Sequence, residues 1–143
     1  MVKCLLRGKL IHPEILAALG SAGHGSKVLI ADGNFPFSTA SSKSAKIVFL
    51  NLMPGIVKVP DVLEAIVSVI PIEAAEVMMP DSGQKPEIFV EFKKLLPMGI
   101  ELKEHKRSEF YDAARDGDVA LVIATGEQRV YANLLLTIGV LIS

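Results

Sequence analysis

The stretch Val119–Ala124, VALVIA, is the clearest strand signal in the chain. It is apolar throughout and rich in β-branched residues, which is typical of a strand buried on both faces. The stretch 27–32, KVLIAD, has the same character, and each stretch runs directly into polar residues, Asp32 in one case and 125–127 (TGE) in the other. These two stretches predict the buried centre of a parallel sheet.

Helical patterns alternate with strand patterns around this centre. The predicted helices begin at Pro13, Pro60, Pro86 and Arg107, and the further predicted strands cover 45–50 and, with a weaker pattern, 74–79. Such alternation predicts an α/β fold, a three-layer α/β/α sandwich with a largely parallel central sheet. A length of 143 residues suits a single domain that spans 1–143.

Charge and hydropathy exclude several classes of protein. The 15 Lys and Arg residues nearly balance the 16 Asp and Glu residues, and no basic block is present, so we expect no nucleic-acid binding. Charges interrupt both the N-terminus and the most apolar stretch, 62–80, so we expect neither secretion nor a membrane span.

The cysteine and histidine content argues against metal or disulfide chemistry. Cys4 is the one cysteine, so no internal disulfide can form, which fits a reducing cytoplasm. His12, His24 and His105 are scattered and have no zinc-ligand spacing. We therefore expect no metal site and no cofactor.

The apolar content is high for a soluble domain. Counted with glycine and without tyrosine, apolar residues make up about 56% of the chain, against ~45–50% in typical domains. This excess predicts that apolar surface is buried between subunits of a homo-oligomer.

Two positions in the pattern carry candidate chemistry, and each also has a structural interpretation. Asp32 follows a predicted strand, where ligands gather in α/β sheets, but Asp is also a common turn residue. His24 lies between Gly23 and Gly25, where an exposed imidazole can transfer protons, although a solvated loop side chain is the default.

Three further polar residues are candidates on weaker grounds. Arg107 begins a predicted helix, where its charge opposes the helix dipole, so a contact with a hydroxyl or an anion is an alternative to a surface role. Tyr131 and Asn133 follow TGE, and a structural role is the favoured interpretation of both. No phosphate-loop or nucleophile-elbow motif is present.

Several short motifs in fixed order resemble the ribose pyranase and L-fucose mutarotase family. They are Pro13-Glu14-x-Leu16, 23–25 (GHG), 30–36 (IADGNFP), Arg107 with 109–111 (EFY), 124–127 (ATGE) and 131–133 (YAN). The resemblance covers nearly the whole chain, and GHG followed by ADxNFP and a distant TGE with YxN is a specific combination.

The resemblance implies a sugar isomerase that assembles into a ring, commonly a decamer, with each site near a subunit boundary. It implies that His24 is the proton donor and that Asp32 binds the sugar. Arg107 matches the fucose branch, in which an Arg replaces a His of the ribose branch, and Tyr131 and Asn133 would complete the pocket. Opening a cyclic hemiacetal needs an acid and a base, for which His24 and either Tyr131 or a water are the candidates.

The residues of the motifs do not decide between two substrates. Ala132 matches the YAN of ribose pyranases, whereas fucose mutarotases usually carry YGN, and Gly33 and Ser108 stand where bulkier residues are usual. The function is therefore predicted as L-fucose mutarotase or, as the alternative, D-ribose pyranase. A non-catalytic sugar-binding accessory of monosaccharide transport and an oligomeric scaffold without a ligand are the remaining possibilities.

Overall fold

A computed structural model describes residues 6–142, and Cys4 lies outside the described residues. The elements in chain order are α1 (Pro13–Ser21), β1 (Lys27–Ala31), β2 (Lys46–Phe49), α2 (Val59–Val67), β3 (Ile72–Met78), α3 (Ile88–Leu95), β4 (Leu102–His105), α4 (Arg107–Ala114), β5 (Val119–Ala124) and β6 (Leu134–Ile138). Across residues 6–142, no helix is both long enough and apolar enough to cross a lipid bilayer.

The strands form one six-stranded sheet in the order β2-β5-β1-β6-β3-β4. β1 and β2 each pair in parallel with β5, and β3 pairs in parallel with β4. β6 is antiparallel to both of its neighbours, β1 and β3. Five strands therefore end at the same edge, which we call the carboxyl edge, and the opposite edge, where β1 begins, is the amino edge.

Helices cover both faces of the sheet, as the three-layer prediction requires. α1, α2 and α3 cover one face, where Ile15, Leu63 and Phe92 belong to one hydrophobic core with strand residues that include Val28 and Ile30. α4 covers part of the other face through Phe110 and Ala114, together with the aromatic loop that follows β1. The α/β class and the largely parallel sheet are confirmed.

Two strands have no counterpart in the sequence prediction. β4 has the sequence LKEH and only partial burial, because it is a short edge strand, and its pattern is too polar to predict a strand. β6, with the sequence LLLTI, is apolar on both faces, and a short apolar run does not distinguish a strand from a buried helix. Because β6 runs against the other strands, the sheet is mixed.

Candidate active site at the carboxyl edge

A small cavity opens at the carboxyl edge, with a volume of about 180 Å³. Its lining residues come from the ends of β1 and β3, the start of α4 and the loop before β6: Asp32, Asn34, Phe35, Met78, Arg107, Tyr111, Val130, Tyr131 and Asn133. The four predicted sugar-binding residues thus surround one space. Its volume is below the roughly 300–1,000 Å³ of drug-sized sites, which suits a small polar molecule.

Asp32 is the buried acid of this cavity, with 2% of its surface exposed. Its Oδ1 accepts a hydrogen bond from the Asn34 N–H at 3.0 Å, and its Oδ2 accepts from the Ala132 N–H at 3.2 Å. Burial raises the pKa of Asp32, and these N–H donors partly oppose that shift. Oδ1 keeps a lone pair that can accept one hydroxyl.

Asn133 is engaged mainly by Asp32. Its Oδ1 accepts from the Asp32 N–H at 2.8 Å, and its Nδ2 donates to Asp32 Oδ2 at 3.3 Å. One N–H of the amide is left for another acceptor, because the amide nitrogen carries two hydrogens. Asn133 therefore holds Asp32 in place and has one donor to offer to the cavity.

Tyr131 and Arg107 face each other across the mouth of the cavity. Arg107 is exposed, begins α4, and donates from Nη2 to the Tyr131 hydroxyl at 3.2 Å. The Tyr131 backbone lies in the left-handed region, with φ of 58°, which an aromatic residue adopts at a cost of about 1–3 kcal/mol. Strain of this size at a cavity mouth is typical of functional sites, and the other guanidinium N–H groups can bind hydroxyls.

His24 lies apart from this cavity within one chain. It belongs to the turn before β1, at the amino edge, whereas Asp32 follows the last residue of β1. Its side chain is 57% exposed, and Nε2 lies 3.1 Å from each carboxylate oxygen of Glu73. The structure thus brings Asp32, Arg107, Tyr131 and Asn133 together but does not place His24 beside them.

Glu73 contacts His24, and the sequence pattern does not indicate this contact. It lies near the start of β3, 49 positions away from His24. The two residues meet because β6 lies between β1 and β3 in the sheet. A prediction of β6 as a strand between them would have been the signal that identifies Glu73.

The 125–127 segment supports the fold beside the cavity. Thr125 Oγ1 donates to the Ala31 carbonyl at 2.7 Å and accepts from the Glu127 N–H at 3.2 Å. A Cβ on Gly126 would lie 2.4 Å from the Ile56 carbonyl oxygen, so only glycine allows this approach of two backbones. None of the three residues lines the site cavity.

Glu127 is buried and caps a helix. Its Oε2 accepts from the Val59 N–H at 3.2 Å, at the start of α2, and its Oε1 accepts from Arg129 Nε at 2.6 Å. Burial acts against ionisation, but the Arg129 guanidinium and the Val59 N–H together hold the pKa of Glu127 below its usual value. The glutamate of TGE therefore has a structural role in this chain.

Larger grooves elsewhere are less suited to a ligand. One of about 500 Å³ at the amino edge is lined by small residues of α1 with the ion pair of Glu14 and Lys46, and it lacks convergent buried polar groups. Another of about 480 Å³ adjoins the site cavity and shares Asn34 with it. In residues 6–142, no three His, Cys, Asp or Glu side chains are grouped to hold a metal ion.

Known proteins match this chain over most of its length. Residues 6–141 match the model of the RbsD / FucU transport protein family. Human fucose mutarotase is 30% identical over 145 residues, which cover 92% of this chain and 90% of the human protein.

Two solved structures are similar over nearly the whole chain. Fucose mutarotase from Streptococcus pneumoniae, in complex with L-fucose, has a TM-score of 0.78 and 26% identity, covering 92% of this chain and 95% of that one. Bacillus subtilis RbsD complexed with D-ribose has a TM-score of 0.82 and 25% identity, covering 99% of this chain and 100% of that one.

Proposed function

The chain belongs to the RbsD / FucU transport protein family, and we propose that it is a monosaccharide mutarotase that interconverts the α and β anomers of L-fucose or a related sugar. The observation that carries the proposal is the convergence of Asp32, Arg107, Tyr131 and Asn133 on one small cavity. Similarity to a fucose mutarotase solved with L-fucose supports the same substrate class.

The reaction needs only proton transfers and a bond rotation. A base removes the proton of the anomeric hydroxyl while an acid protonates the ring oxygen, and the bond between the anomeric carbon and that oxygen breaks. The aldehyde then rotates and the reverse transfers close the ring in the other configuration. No electron leaves the sugar, so side chains and water supply everything that the reaction requires.

The cavity residues orient the sugar. The free lone pair of Asp32 Oδ1 accepts one sugar hydroxyl, and the remaining N–H of Asn133 donates to a sugar oxygen. Arg107 offers several donors in a fixed plane, while its bond to Tyr131 keeps the phenol at the cavity mouth. Tyr131 or a water acts as the partner of the general acid.

His24 supplies the general acid from a second copy of the chain. The imidazole lies at the amino edge and the cavity at the carboxyl edge, so a complete site forms where the amino edge of one copy meets the carboxyl edge of another. We propose a homo-oligomer built on this contact, with the decamer as the specific expectation, which analytical ultracentrifugation would test.

Exposed apolar side chains near the cavity and near the amino edge support this contact between copies. Leu52 and Val130 are 77% and 61% exposed near the cavity. Leu141 and Ile142 are 82% and 94% exposed in the segment after β6, whose last residue, Ile138, pairs with Ile72 at the start of β3. Burying these groups between copies would remove apolar surface from water on both sides of the shared site.

Interconversion of the pyranose and furanose forms of D-ribose is the second candidate activity. The similarity to RbsD complexed with D-ribose favours it, since that structure has the higher TM-score of the two. We also propose a cytoplasmic location, which the single cysteine of the sequence supports.

Magnetisation exchange between anomeric protons, measured by NMR, tests the function. We expect the protein to accelerate exchange between the α and β forms of L-fucose, and a parallel series with D-ribose ranks the two sugars. Acceleration with D-ribose alone would favour the pyranase. Binding of either sugar without any acceleration would favour a non-catalytic sugar-binding accessory of transport and contradict the proposed activity.

A further inference from the structure

A groove of about 480 Å³ adjoins the site cavity, and Asn34 lines both of them. By itself the groove is less suited to a ligand than the cavity, but a molecule held in the cavity can extend into it. We propose that the groove is a second subsite, which holds the other sugar unit of a reducing disaccharide while the reducing unit lies in the cavity. This inference rests on the proposed function and names a larger class of substrate for the same site.

The amide side chains of the chain are concentrated around these two spaces. The sequence contains three Asn and two Gln residues, and four of these five line the cavity or the groove: Asn34, Asn51, Gln128 and Asn133. The fifth, Gln84, lines neither. An amide both donates and accepts hydrogen bonds, as a sugar hydroxyl does, so this distribution matches a polyhydroxylated ligand that occupies both spaces.

The three amides of the groove are available to a ligand. Within residues 6–142, the exposed side chains of Asn34, Asn51 and Gln128 form no hydrogen bond with another residue. The fourth amide, Asn133, is instead bonded to Asp32 through both its oxygen and its nitrogen. The groove amides can therefore exchange water for sugar hydroxyls without breaking a bond within the fold.

The 125–128 segment lines the groove and is held by backbone hydrogen bonds on two sides. The Gly33 N–H donates to the Glu127 carbonyl at 2.8 Å, and the Gly55 N–H donates to the Gly126 carbonyl at 2.7 Å. The segment is thus bonded to both the turn after β1 and the 51–55 loop. A preformed groove of this kind requires little ordering when a ligand binds.

Gly33 leaves the groove open beside the cavity. A Cβ at this position would lie 3.0 Å from the Glu127 carbonyl oxygen and 3.8 Å from that of Thr125, and both residues line the groove. A longer side chain would therefore start at the wall of the groove, next to Asp32. The absence of a side chain at Gly33 leaves room between Asp32 and the groove amides.

The reaction restricts how the two sugar units are joined. Ring opening needs a free anomeric hydroxyl on the unit in the cavity, so the second unit must be attached through another of its oxygens. The hydroxyl that Asp32 accepts lies next to Asn34, since the Asn34 N–H donates to the same Oδ1 at 3.0 Å. The glycosidic bond neither forms nor breaks, so the proton transfers are those of the free sugar and no further reactant is needed.

The apolar side chains of the groove suit the carbon face of a sugar ring. Leu52 and Met53 are 77% and 55% exposed there. Leu52 also belongs to the surface proposed to contact a second copy, so assembly would enclose a ligand in the groove further and remove it from water. The assembled protein is therefore the form in which the groove should be tested.

The test uses the assembled protein and three probes, in which D-galactose is joined to O-2, O-3 or O-4 of a reducing L-fucose. We expect at least one probe to show accelerated exchange between its anomeric protons. In the double variant with Asn51→Ala and Gln128→Ala, half-saturation by that probe should need about tenfold more sugar, since each lost hydrogen bond costs roughly threefold in affinity. L-Fucose should be unaffected, because neither residue lines the cavity.

Gln84→Ala is the matched control, because Gln84 is an exposed amide outside the groove and the cavity. This variant should leave the half-saturation of both the disaccharide and L-fucose unchanged. NMR of the side-chain NH₂ groups gives a second readout that does not depend on turnover. The Asn51 and Gln128 signals should shift when the disaccharide is added and should not shift when L-fucose is added.

Two outcomes would overturn the inference. One is accelerated exchange of L-fucose without binding of any of the three disaccharides, as expected if a second copy fills the groove. The other is a disaccharide that binds equally well to the wild type and to the double variant. A wild type that accelerates no sugar would instead contradict the proposed function, and the amide shifts would still decide whether the groove binds a disaccharide.

Discussion

His24 and Asp32 lie at opposite edges of the sheet, because the whole of β1 separates them. A strand of five residues spans roughly 16 Å, so one monosaccharide cannot contact both side chains of the same chain. If His24 donates the proton and Asp32 binds the sugar, as proposed, the two residues come from two copies. This relationship makes the oligomer a part of the proposed site.

Sugar binding at the proposed site should depend on pH through Asp32. In the proposed site the ionised carboxylate is a stronger acceptor for a sugar hydroxyl than the protonated carboxyl, and burial raises the pKa of Asp32 above the usual 3.8. Affinity for L-fucose, measured by calorimetry, should therefore fall as the pH is lowered through this raised pKa. Asp32→Asn should bind more weakly at neutral pH and lose the acid-limb dependence. An acid limb that persists in Asp32→Asn would assign the titration to another group.

Removing the hydrogen bond between Arg107 and Tyr131 should weaken the binding of L-fucose. Tyr131→Phe removes the hydroxyl that accepts from Arg107 Nη2 at 3.2 Å but keeps the ring and the backbone. Half-saturation by L-fucose should need about three- to tenfold more sugar, since one hydrogen bond of about 1 kcal/mol is lost. The unfolding midpoint should stay unchanged. A wild-type affinity in this variant would show that the hydroxyl does not organise the cavity.

Replacing Glu127 should lower the stability of the fold over a defined pH range. Because its pKa is lowered in the folded state, the unfolded chain binds more protons than the native one once the pH falls below the usual pKa of 4.5. Its contribution is thus complete above that value and is lost as the pH falls through the folded pKa. Glu127→Gln should lower the free energy of unfolding by roughly 1–3 kcal/mol at neutral pH. Urea titrations from pH 7 to pH 3 should show the difference from wild type shrinking in acid.

A side chain at Gly126 should carry a steric cost that a side chain at Gly117 does not. A Cβ at Gly126 would lie 2.4 Å and 2.5 Å from two backbone oxygens of the 53–56 loop, so Gly126→Ala must displace that loop. The unfolding free energy should fall by about 1–3 kcal/mol, as in other overpacked sites. Gly117→Ala is the control, since nothing lies within 4 Å of its added Cβ. Equal stability of the two variants would contradict the close approach.

The central strands and the cluster of proposed sugar-binding residues could be predicted from the sequence. β1 after Lys27 and the whole of β5 are apolar, and polar residues follow both strands, so the pattern correctly predicts Asp32 at the carboxyl edge. The ATGE motif shows the limit of this reasoning, because Glu127 follows a strand yet caps α2. Position after a strand indicates the edge of the sheet and does not separate a ligand contact from a structural one.

The contact of His24 with Glu73 depends on features that no local pattern carries. Its partner Glu73 comes close only because β6 inserts between β1 and β3 in reverse direction. The sequence of β6, LLLTI, specifies burial but neither its neighbours nor its direction. The contact between His24 and Glu73 therefore needed the three-dimensional structure, whereas the separation of His24 from Asp32 follows from the strand predicted between them.

The most direct test is the exchange of L-fucose anomeric protons in a mixture of two variants, His24→Ala and Asp32→Ala, dissociated and reassembled together. Each variant alone should be inactive or nearly so. In a random mixture about a quarter of the sites combine an intact His24 from one copy with an intact Asp32 from another. We predict that exchange returns to roughly that fraction of the wild-type rate. A mixture as inactive as its components, beside an active wild type that reassembles normally, would contradict a site shared between copies.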